Sequence, residues 1–366
     1  MIVKGGNIPK KGIHNILIIQ LGDIGDVVWA TPTFRAIKKA YPTAGINILV
    51  REGSGSLLEE DPMLDKIFEV RSSASKSITA IRKQLQLIRV LRRERFDLVF
   101  DLRSDDRGAI TAFLTGAARR VGMFYGGTDI PFWRNHLFTH LVDPPPPRER
   151  ILGAAEQSLR IIREFGITSE DSTPKLQISA ATVNRARQIV GNGGLRETGR
   201  WVSINPFSRW QYKEWGYHNW IRIVDWLWSD LGIASVLIGS PGERDKATRI
   251  ADNCRGHIIN IAGLTSLKDL AGVLSLSSFH IGVDSAGPHI AAAMGTPTVT
   301  IYGPSDWREW APVGSLHQVI TPDCPCVPCC NKGCDGSERS KCLEKLDCET
   351  VKTGIRNALS LPERQP

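Results

Sequence analysis

The chain has 366 residues, of which 42% are hydrophobic and 23% are charged. This balance is close to the average of globular proteins, so it excludes a largely disordered chain, and the length favours two domains of roughly 150 residues. The formal net charge of +8 favours an anionic partner: a phosphorylated ligand, a nucleic acid or an acidic membrane surface.

The N-terminal segment shows no apolar run followed by the small residues that mark a signal peptide. No stretch of the sequence approaches the roughly 18 consecutive apolar residues that a spanning helix needs. We therefore expect a protein of the cytoplasm.

The first half of the chain alternates short apolar runs with helical patterns. Strands are predicted at residues 16–19, 46–50 and 98–101, and helices at residues 27–40, 77–95 and 151–165. A glycine turn at residues 22–26 joins the first strand to the first helix. Strand, turn, helix and strand in this order are typical of a parallel βαβ unit. A run of four prolines at residues 144–147 interrupts the pattern as a stiff, extended connection.

The second half repeats this alternation. Strands are predicted at residues 201–205, 235–238, 258–261, 279–283 and 298–302, and helices at residues 219–231, 243–254, 267–276 and 288–294. We therefore predict an α/β protein with two Rossmann-like domains, residues 1–172 and 173–348, which face each other across a cleft. A final helix at residues 349–366 is expected to pack back toward the first domain. Ligands of such sheets bind at the carboxyl ends of the strands, so the loops there hold the candidate functional residues.

The glycine turn holds the first candidate residue, Asp26. The turn lacks the G-x-G-x-x-G pattern of dinucleotide sites, but Gly22 and Gly25 permit close approach of the backbone to a ligand. Asp26 lies at the start of the helix, and Asp23 is one turn position too early to take its place. Two interpretations stay open for Asp26: a cap on the free N–H groups of the helix, and a base that takes a proton from an acceptor hydroxyl.

Two loops of the second half carry groups that suit a phosphate. The loop after the strand at residues 201–205 places Ser208, Arg209 and Lys213 within six residues, and a solvated basic loop is the alternative. A later segment begins at Asp284, where a strand ends, and its small residues leave N–H groups uncovered at a helix N-terminus, which is a ready anion site. The segment continues with Ser285, Ala286, Gly287 and His289. The alternative is a helix cap with a packed histidine.

Glu243 opens another helix of the second half, after the sequence Gly-Ser-Pro-Gly. A carboxylate at this position complements the helix dipole. It also suits ribose hydroxyls, which acidic residues bind in other nucleotide folds.

Seven of the eight cysteines fall within residues 324–348. In a reducing cytosol such a cluster favours free thiols or a metal site over disulfides. Four of them offer the thiolates of a tetrahedral metal site: Cys326, Cys329, Cys334 and Cys342. Because the spacing differs from that of a standard zinc ribbon, we prefer reduced packing thiols without a metal, with a structural metal and regulated disulfides as alternatives.

The predicted helix at residues 77–95 is strongly basic. It carries Arg82, Lys83, Arg89, Arg92, Arg93 and Arg95 beside the single acidic residue Glu94. Such a run is typical of a solvated helix face. The alternative is attraction to a phosphorylated, membrane-anchored ligand or to an anionic leaflet.

Two motifs resemble family nine of the glycosyltransferases, the bacterial lipopolysaccharide heptosyltransferases. The first is Gly-Asp-Ile-Gly-Asp-Val at residues 22–27, followed by Thr-Pro at 31–32, and the second is VDSAGPHIAAAMGTPTVTIYGPSD at residues 283–306. The resemblance covers nearly the whole chain, with the motifs in the expected order. Residues 208–215 and 307–310 are similar to the heptosyltransferase III branch, which branches the inner core.

The resemblance implies a GT-B fold with the active site between the domains. It implies that the second domain binds the donor, ADP-L-glycero-D-manno-heptose, and that the first domain takes the acceptor. It also implies an inverting transfer that needs neither a metal nor a further cofactor.

The resemblance also implies roles for single residues. Asp26 matches the catalytic aspartate that deprotonates the acceptor hydroxyl, and Lys213 matches the lysine that holds the diphosphate. Ser208 and Arg209 lie where hydroxyl residues contact the phosphates in the family, so that Arg209 departs from the pattern.

Two further acidic residues match the donor site of the family. Glu243 matches the acid that binds the ribose. Asp284 matches the aspartate of the motif whose backbone amides meet the phosphates, and Ala286 replaces the usual glycine there, with Gly287 following.

The implied partners are the nucleotide-sugar donor and the lipopolysaccharide core acceptor, without nucleic acid. The implied location is the cytoplasm, with peripheral contact to the inner face of an anionic inner membrane. One alternative is a GT-B enzyme that transfers or epimerises another nucleotide sugar; an epimerase would consume its donor without an acceptor. Another alternative is a basic nucleic-acid-binding or metal-binding module. Two observations disfavour it: the basic residues are dispersed over both halves, and no nucleic-acid motif is present.

Overall fold

The computed structural model describes residues 3–4, 8–9, 11–71, 78–103, 105–124, 133–143, 153–195 and 199–360. The chain divides into two compact units, Met1–Pro174 and Lys175–Pro366, close to the boundary predicted at residue 172. The proline run at residues 144–147 lies outside the described residues, as do Ser77 and the first two residues of the helix predicted at 151–165.

The first unit is a parallel sheet with helices in its crossover connections. Its strands are β1 (Val3–Lys4), β2 (Asn15–Gln20), β3 (Gly45–Arg51), β4 (Lys66–Val70), β5 (Leu98–Asp101), β6 (Arg119–Met123) and β7 (His140–Val142). Its helices are α1 (Ile24–Trp29), α2 (Thr31–Ala40), α3 (Ile78–Arg93), α4 (Asp106–Leu114), α5 (Trp133–His136) and α6 (Ala155–Arg163). Within the described residues the strand order is β1-β7-β6-β5-β2-β3-β4. The apolar run of β2 is fully buried, as expected for a strand covered on both faces.

The second unit has the same kind of architecture. Its strands are β8 (Trp201–Asn205), β9 (Ala234–Leu237), β10 (Ile258–Asn260), β11 (His280–Val283), β12 (Thr298–Ile301) and β13 (His317–Ile320). Its helices are α7 (Ala180–Asn192), α8 (Tyr217–Leu231), α9 (Arg244–Ala251), α10 (Leu267–Leu276), α11 (Ala286–Ala293), α12 (Trp307–Trp310), α13 (Lys341–Lys345) and α14 (Cys348–Leu359). The parallel order of the described strands is β10-β9-β8-β11-β12-β13.

The single helix predicted at residues 27–40 is wrong, because the structure has two helices there. The first begins at Ile24 and ends at Trp29, and the second begins at Thr31. Pro32 lies in the first turn of α2, where its missing N–H costs nothing, whereas inside a longer helix it would remove a hydrogen bond.

The sequence patterns missed several of the described strands, namely β1, β4, β6, β7 and β13. Strand β4 has the sequence KIFEV and β13 has HQVI, and both contain polar residues between the apolar ones. Each lies at an edge of its sheet, where a shorter apolar run suffices. Prediction from continuous apolar runs therefore finds the strands that have such a run, including the edge strand β10. It misses strands without one, which include β6 in the interior of the first sheet.

The C-terminal helix belongs to the core of the second unit. Val351, Ile355 and Ala358 are buried in α14, which packs against β12, β13 and α8. Its packing toward the first domain stays a prediction. In the part of the chain that the structure describes, no helix has the length and apolar character needed to cross a bilayer.

Candidate active site

In the first unit, three loops meet at the carboxyl edge of the sheet. Strand β2 lies between β3 and β5, and all three run parallel, so their carboxyl ends share one edge. The glycine turn follows β2, Arg51 ends β3, and Arg103 follows β5 by two residues. This edge brings Asp26 together with two guanidinium groups.

Asp26 lies in the first turn of α1 and takes part in a capping box. Asp23 is the N-cap residue, with an extended backbone, and its N–H donates a hydrogen bond of 2.6 Å to Oδ2 of Asp26. The interpretation of Asp26 as the N-cap is therefore wrong, because the N-cap is Asp23, three residues earlier. The Asp26 carboxylate nevertheless satisfies a free N–H at the helix start. The same Oδ2 accepts a hydrogen bond of 2.8 Å from Arg103 Nη1.

The environment of Asp26 makes it a stronger base than an ordinary aspartate. Burial raises its pKa, and Arg103 lowers the pKa in part by its charge. The Asp26 side chain is 18% exposed, so the carboxylate is largely desolvated but still reaches solvent. A raised pKa brings an aspartate closer to the value that general-base catalysis at neutral pH favours.

Gly22 is required by the position of Asp26. A Cβ atom at residue 22 would lie 2.2 Å from Oδ2 of Asp26. Gly25 is a buried residue in the first turn of α1. The two glycines of the turn thus serve the packing of the turn and helix as well as any approach of a ligand.

Gly22→Ala should therefore displace the Asp26 carboxylate, and it should reduce the activity if Asp26 is the base that the sequence predicts. Because a displacement of about 1 Å in a catalytic group can cost about 10²-fold, we expect a loss of that order in kcat/KM. Gly191→Ala is the matched control, since a Cβ at residue 191 in α7 meets nothing within 4 Å. Steady-state kinetics and thermal unfolding of both variants test this, and wild-type activity of Gly22→Ala would contradict it.

In the second unit, two neighbouring strands bring the candidate phosphate residues together. Strands β8 and β11 are adjacent and parallel, so the loops after Asn205 and Val283 meet. Ser208 Oγ donates to the backbone oxygen of Asp284 at 3.2 Å, and Asn205 Nδ2 donates to Ser285 Oγ at 3.0 Å. The two phosphate-binding motifs predicted from sequence thus form one cluster.

A buried ion pair lies at the centre of this cluster. Lys213 Nζ donates to Asp284 Oδ2 at 2.6 Å, with side chains 21% and 9% exposed. Asp284 therefore fixes the ammonium beside the start of α11. A buried pair of this kind holds its geometry because breaking it leaves an uncompensated charge.

The start of α11 is shaped by small residues. Ser285 is the N-cap, with an extended backbone, and Ala286 and Gly287 follow in the first turn. A Cβ at Gly287 would lie 2.9 Å from His280 Nε2 and 3.2 Å from Asn205 Nδ2, so this position requires glycine. Free amides at a helix start suit an anion, and α11 starts two residues after Asp284, the ion-pair partner of Lys213.

The remaining candidate residues of the second unit are His289, Glu243 and Arg209. His289 is buried in α11, and burial lowers its pKa to about 4, so it is neutral near pH 7 and brings no charge to an anion. Glu243 Oε2 accepts a hydrogen bond of 2.6 Å from the Ser240 N–H in a capping box, so this carboxylate caps the helix start in addition to the two roles predicted for it, at the helix dipole or at a ribose. The guanidinium of the exposed Arg209 lies 5.3 Å from the centre of the Trp210 ring.

The comparison with known proteins places this geometry in a family. A sequence profile described as glycosyltransferase family 9 (heptosyltransferase) matches residues 84–338, more than half of the chain. The chain belongs to glycosyltransferase family 9. It is 29% identical to the lipopolysaccharide heptosyltransferase 3 of Escherichia coli over 293 residues, which cover 78% of this chain and 84% of that protein.

Solved glycosyltransferase structures share the fold of this protein. The glycosyl transferase family 9 protein of Veillonella parvula matches with a TM-score of 0.79 at 20% identity, covering 94% of this chain and 97% of the other. The Escherichia coli heptosyltransferase WaaC, solved with ADP-2-deoxy-2-fluoro heptose, matches with a TM-score of 0.70 at 19% identity, covering 93% and 99%. The predicted fold class, α/β with two Rossmann-like domains of the GT-B type, is confirmed.

Sequence reasoning missed the basic residues around Asp26 in this family-9 glycosyltransferase. Arg51 Nη1 lies 2.6 Å from Asp23 Oδ1, and Arg103 contacts Asp26 directly. Burial lowers the pKa of Arg107, and the nearby Arg51 lowers it further. The signal was present in the sequence, because arginines close to the ends of the strands at 46–50 and 98–101 must lie at the same edge as the glycine turn.

The cysteine-rich segment of the enzyme contains free thiols. All eight cysteines are free, and no group of three or more described His, Cys, Asp or Glu side chains is placed to hold a metal ion. Cys342 is buried in the core of the second unit, and burial raises its pKa to about 11. Cys324 and Cys326 approach each other with a sulfur–sulfur distance of 3.5 Å. The packing interpretation therefore describes Cys342, whereas Cys326, Cys329 and Cys334 are exposed or partly exposed.

Proposed function

We propose that this glycosyltransferase transfers heptose from ADP-L-glycero-D-manno-heptose to the inner core of lipopolysaccharide. The observation that carries the proposal is the Lys213–Asp284 pair beside the first turn of α11, an arrangement suited to a diphosphate. The membership in family 9 and the similarity to a heptosyltransferase 3 support the sugar and the acceptor.

The proposed reaction is a single displacement. Asp26 takes the proton of the acceptor hydroxyl, whose oxygen forms a bond to the anomeric carbon of the heptose. The bond between this carbon and the diphosphate oxygen breaks, and its electron pair leaves with ADP. Attack opposite to the leaving group inverts the anomeric centre. The raised pKa of Asp26 supports its part in this step.

The leaving diphosphate gains negative charge as its bond to the sugar breaks. We propose that Lys213 and the amides of residues 286 and 287 stabilise this charge. The Ser208 hydroxyl adds a further donor when it rotates from the Asp284 carbonyl to the diphosphate. Fixed donors that face a developing charge typically contribute about 10²–10³-fold each in rate. In this scheme the protein supplies the positive field without a metal ion or cofactor, and activity should persist in excess EDTA.

The basic edge of the first unit suits a phosphorylated acceptor. Arg51 ends β3 and Arg103 follows β5, both near Asp26, and Arg107 in the first turn of α4 lies near Arg51. A guanidinium group donates parallel hydrogen bonds to two oxygens of one phosphate. These arginines would therefore orient the phosphorylated inner core so that its acceptor hydroxyl lies at Asp26. The enzyme would then work in the cytoplasm, at the inner face of the inner membrane.

The activity should decrease as the pH falls, because the Asp26 carboxylate becomes protonated. Asp26 acts as a base only when ionised, so kcat/KM decreases as the pH falls through its pKa, which lies above the usual aspartate value of 3.8. Arg103 lowers this pKa, so Arg103→Met should move the acidic limb of the pH profile to higher pH. Arg51 lowers the pKa of Asp26 less than Arg103 does, so Arg51→Met should move the acidic limb by a smaller amount. An unchanged limb, or one moved to lower pH, in Arg103→Met would contradict the assignment.

A donor screen tests the function itself. The purified enzyme is incubated with core lipopolysaccharide that lacks outer heptose, together with ADP-heptose or with other nucleotide sugars. We expect the mass of the acceptor to increase by one heptose with release of ADP, and only when ADP-heptose is present. Consumption of a donor without any acceptor would instead favour an epimerase, and transfer of another sugar would reassign the donor.

A further inference from the structure

The helix α3 exposes an apolar stripe to solvent. Ile78, Ile81 and Leu85 recur at spacings of three and four residues, so they share one face of the helix. Their side chains are 71%, 54% and 53% exposed. The apolar pattern that predicts this helix thus continues beyond the face that the core covers.

The buried face of α3 is formed by other residues. Leu91 is fully buried, and Leu87 and Ile88 pack against the core of the first unit. The exposed stripe is therefore additional to the core contact. Solvent-exposed apolar side chains that line up on one helix commonly mark a surface where another body binds.

The adjacent helix α4 also exposes apolar side chains. Ile110 and Phe113, three residues apart, are 42% and 48% exposed, and α3 and α4 are in contact. A Cβ at Gly116, which follows α4, would lie 3.9 Å from the guanidinium of Arg92 in α3. We call the exposed apolar residues of both helices, together with the basic residues of α3, the α3–α4 face. Its apolar members are Ile78, Ile81, Leu85, Ile110 and Phe113.

The α3 part of the α3–α4 face is strongly basic. Arg82 lies four residues after Ile78, and Arg89 lies four residues after Leu85, so the exposed arginines continue the apolar stripe along the helix. The sequence of α3 contains five basic residues and no acidic residue. A second copy of the chain would meet this face with like charge, which disfavours self-association through it.

We propose that the α3–α4 face docks the enzyme on the surface of an anionic lipid bilayer. A helix that exposes apolar side chains among arginines suits the boundary between headgroups and acyl chains, where the apolar groups leave water and the arginines meet phosphates. A soluble phosphorylated ligand would use the arginines alone and leave the isoleucines exposed. The inference rests on the proposed function for the reason to bind a membrane, because a lipid-linked acceptor lies at that surface.

Flotation with lipid vesicles tests the proposal without donor or acceptor. We expect the wild-type enzyme to float with vesicles that contain phosphatidylglycerol and to stay unbound with phosphatidylcholine vesicles. Binding should weaken when salt is raised to about 1 M, because the Debye length falls from about 10 Å to about 3 Å. An enzyme that stays unbound with both kinds of vesicle would overturn the proposal.

Two double variants separate the apolar and the basic contributions. Ile81→Ser with Leu85→Ser should reduce the membrane partition coefficient about tenfold or more, and Arg89→Gln with Arg93→Gln should remove the preference for anionic lipid. Leu264→Ser with Val313→Ser is the matched control, since these residues are 51% and 72% exposed in the second unit. We expect this control to bind vesicles like the wild-type enzyme.

The outcomes distinguish this inference from the proposed function. Wild-type binding by the Ile81→Ser, Leu85→Ser variant overturns the docking proposal, as does concentration-dependent dimerisation that this variant abolishes. Transfer to a detergent-dispersed acceptor should be unchanged in that variant, because Ile81 and Leu85 lie outside the catalytic machinery. A wild-type enzyme that binds vesicles but transfers no heptose would overturn the function and leave the docking surface.

Discussion

Asp26→Asn should abolish heptosyl transfer and leave both the fold and donor binding intact. The amide cannot accept a proton from the acceptor hydroxyl, and loss of a general base typically costs about 10²–10⁴-fold in rate. The amide oxygen still accepts the hydrogen bond from the Asp23 N–H, which the carboxylate accepts at 2.6 Å, so the start of α1 should stay capped. Turnover at saturating donor and acceptor, with calorimetric binding of ADP, measures both effects.

The stability of this variant gives a second, independent readout. Because burial raises the pKa of Asp26 in the folded state, folding favours its protonated form. This stabilisation is present below the pKa of the unfolded chain and is lost as the pH rises through the folded pKa. At neutral pH the ionised carboxylate therefore costs stability, and the neutral amide should unfold at the same temperature or higher.

Asp23→Asn is the matched control for Asp26→Asn. Asparagine caps helices as well as aspartate does, and the lost ion pair with Arg51 is largely exposed and so contributes little. Transfer by Asp23→Asn should stay within a few-fold of the wild type. Near-normal turnover by Asp26→Asn would show that its carboxylate serves the capping box alone.

The sequence predicted the strands that contain a continuous apolar run. The central strand β2 is a continuous apolar run, and so it was found together with the glycine turn after it. The edge strand β4 was missed, because a strand with one open side needs no such run. The position of Asp26 at the third residue of α1, rather than at its cap, depended on where the helix starts, which composition alone does not fix.

The sequence identified the residues of the candidate site, but it did not show which of them are in contact. That Ser208, Lys213 and Asp284 form one cluster follows from the adjacency of β8 and β11, which requires the strand order. The contact between Arg103 and Asp26 likewise follows from the adjacency of β2 and β5. Chain order shows which residues end a strand, whereas tertiary structure decides which strand ends are neighbours.

Lys213→Met should reduce transfer about 10²–10³-fold, because it removes a fixed positive charge from the leaving diphosphate. It also leaves the Asp284 carboxylate buried without its ammonium partner, and breaking such a pair typically costs about 3–5 kcal/mol of stability. A low activity of this variant alone would therefore confound catalysis with folding. Thermal unfolding must accompany the kinetics.

The double variant Lys213→Met, Asp284→Asn separates the two effects. With both charges removed, the uncompensated carboxylate is gone, so we expect most of the lost stability to return. The activity should stay low, because no ammonium meets the diphosphate, whereas Lys213→Arg keeps the charge and should retain more activity than Lys213→Met. If the double variant regained both stability and turnover, Lys213 would act only to neutralise Asp284. A stable and inactive double variant would assign the ammonium to the chemistry of the leaving group.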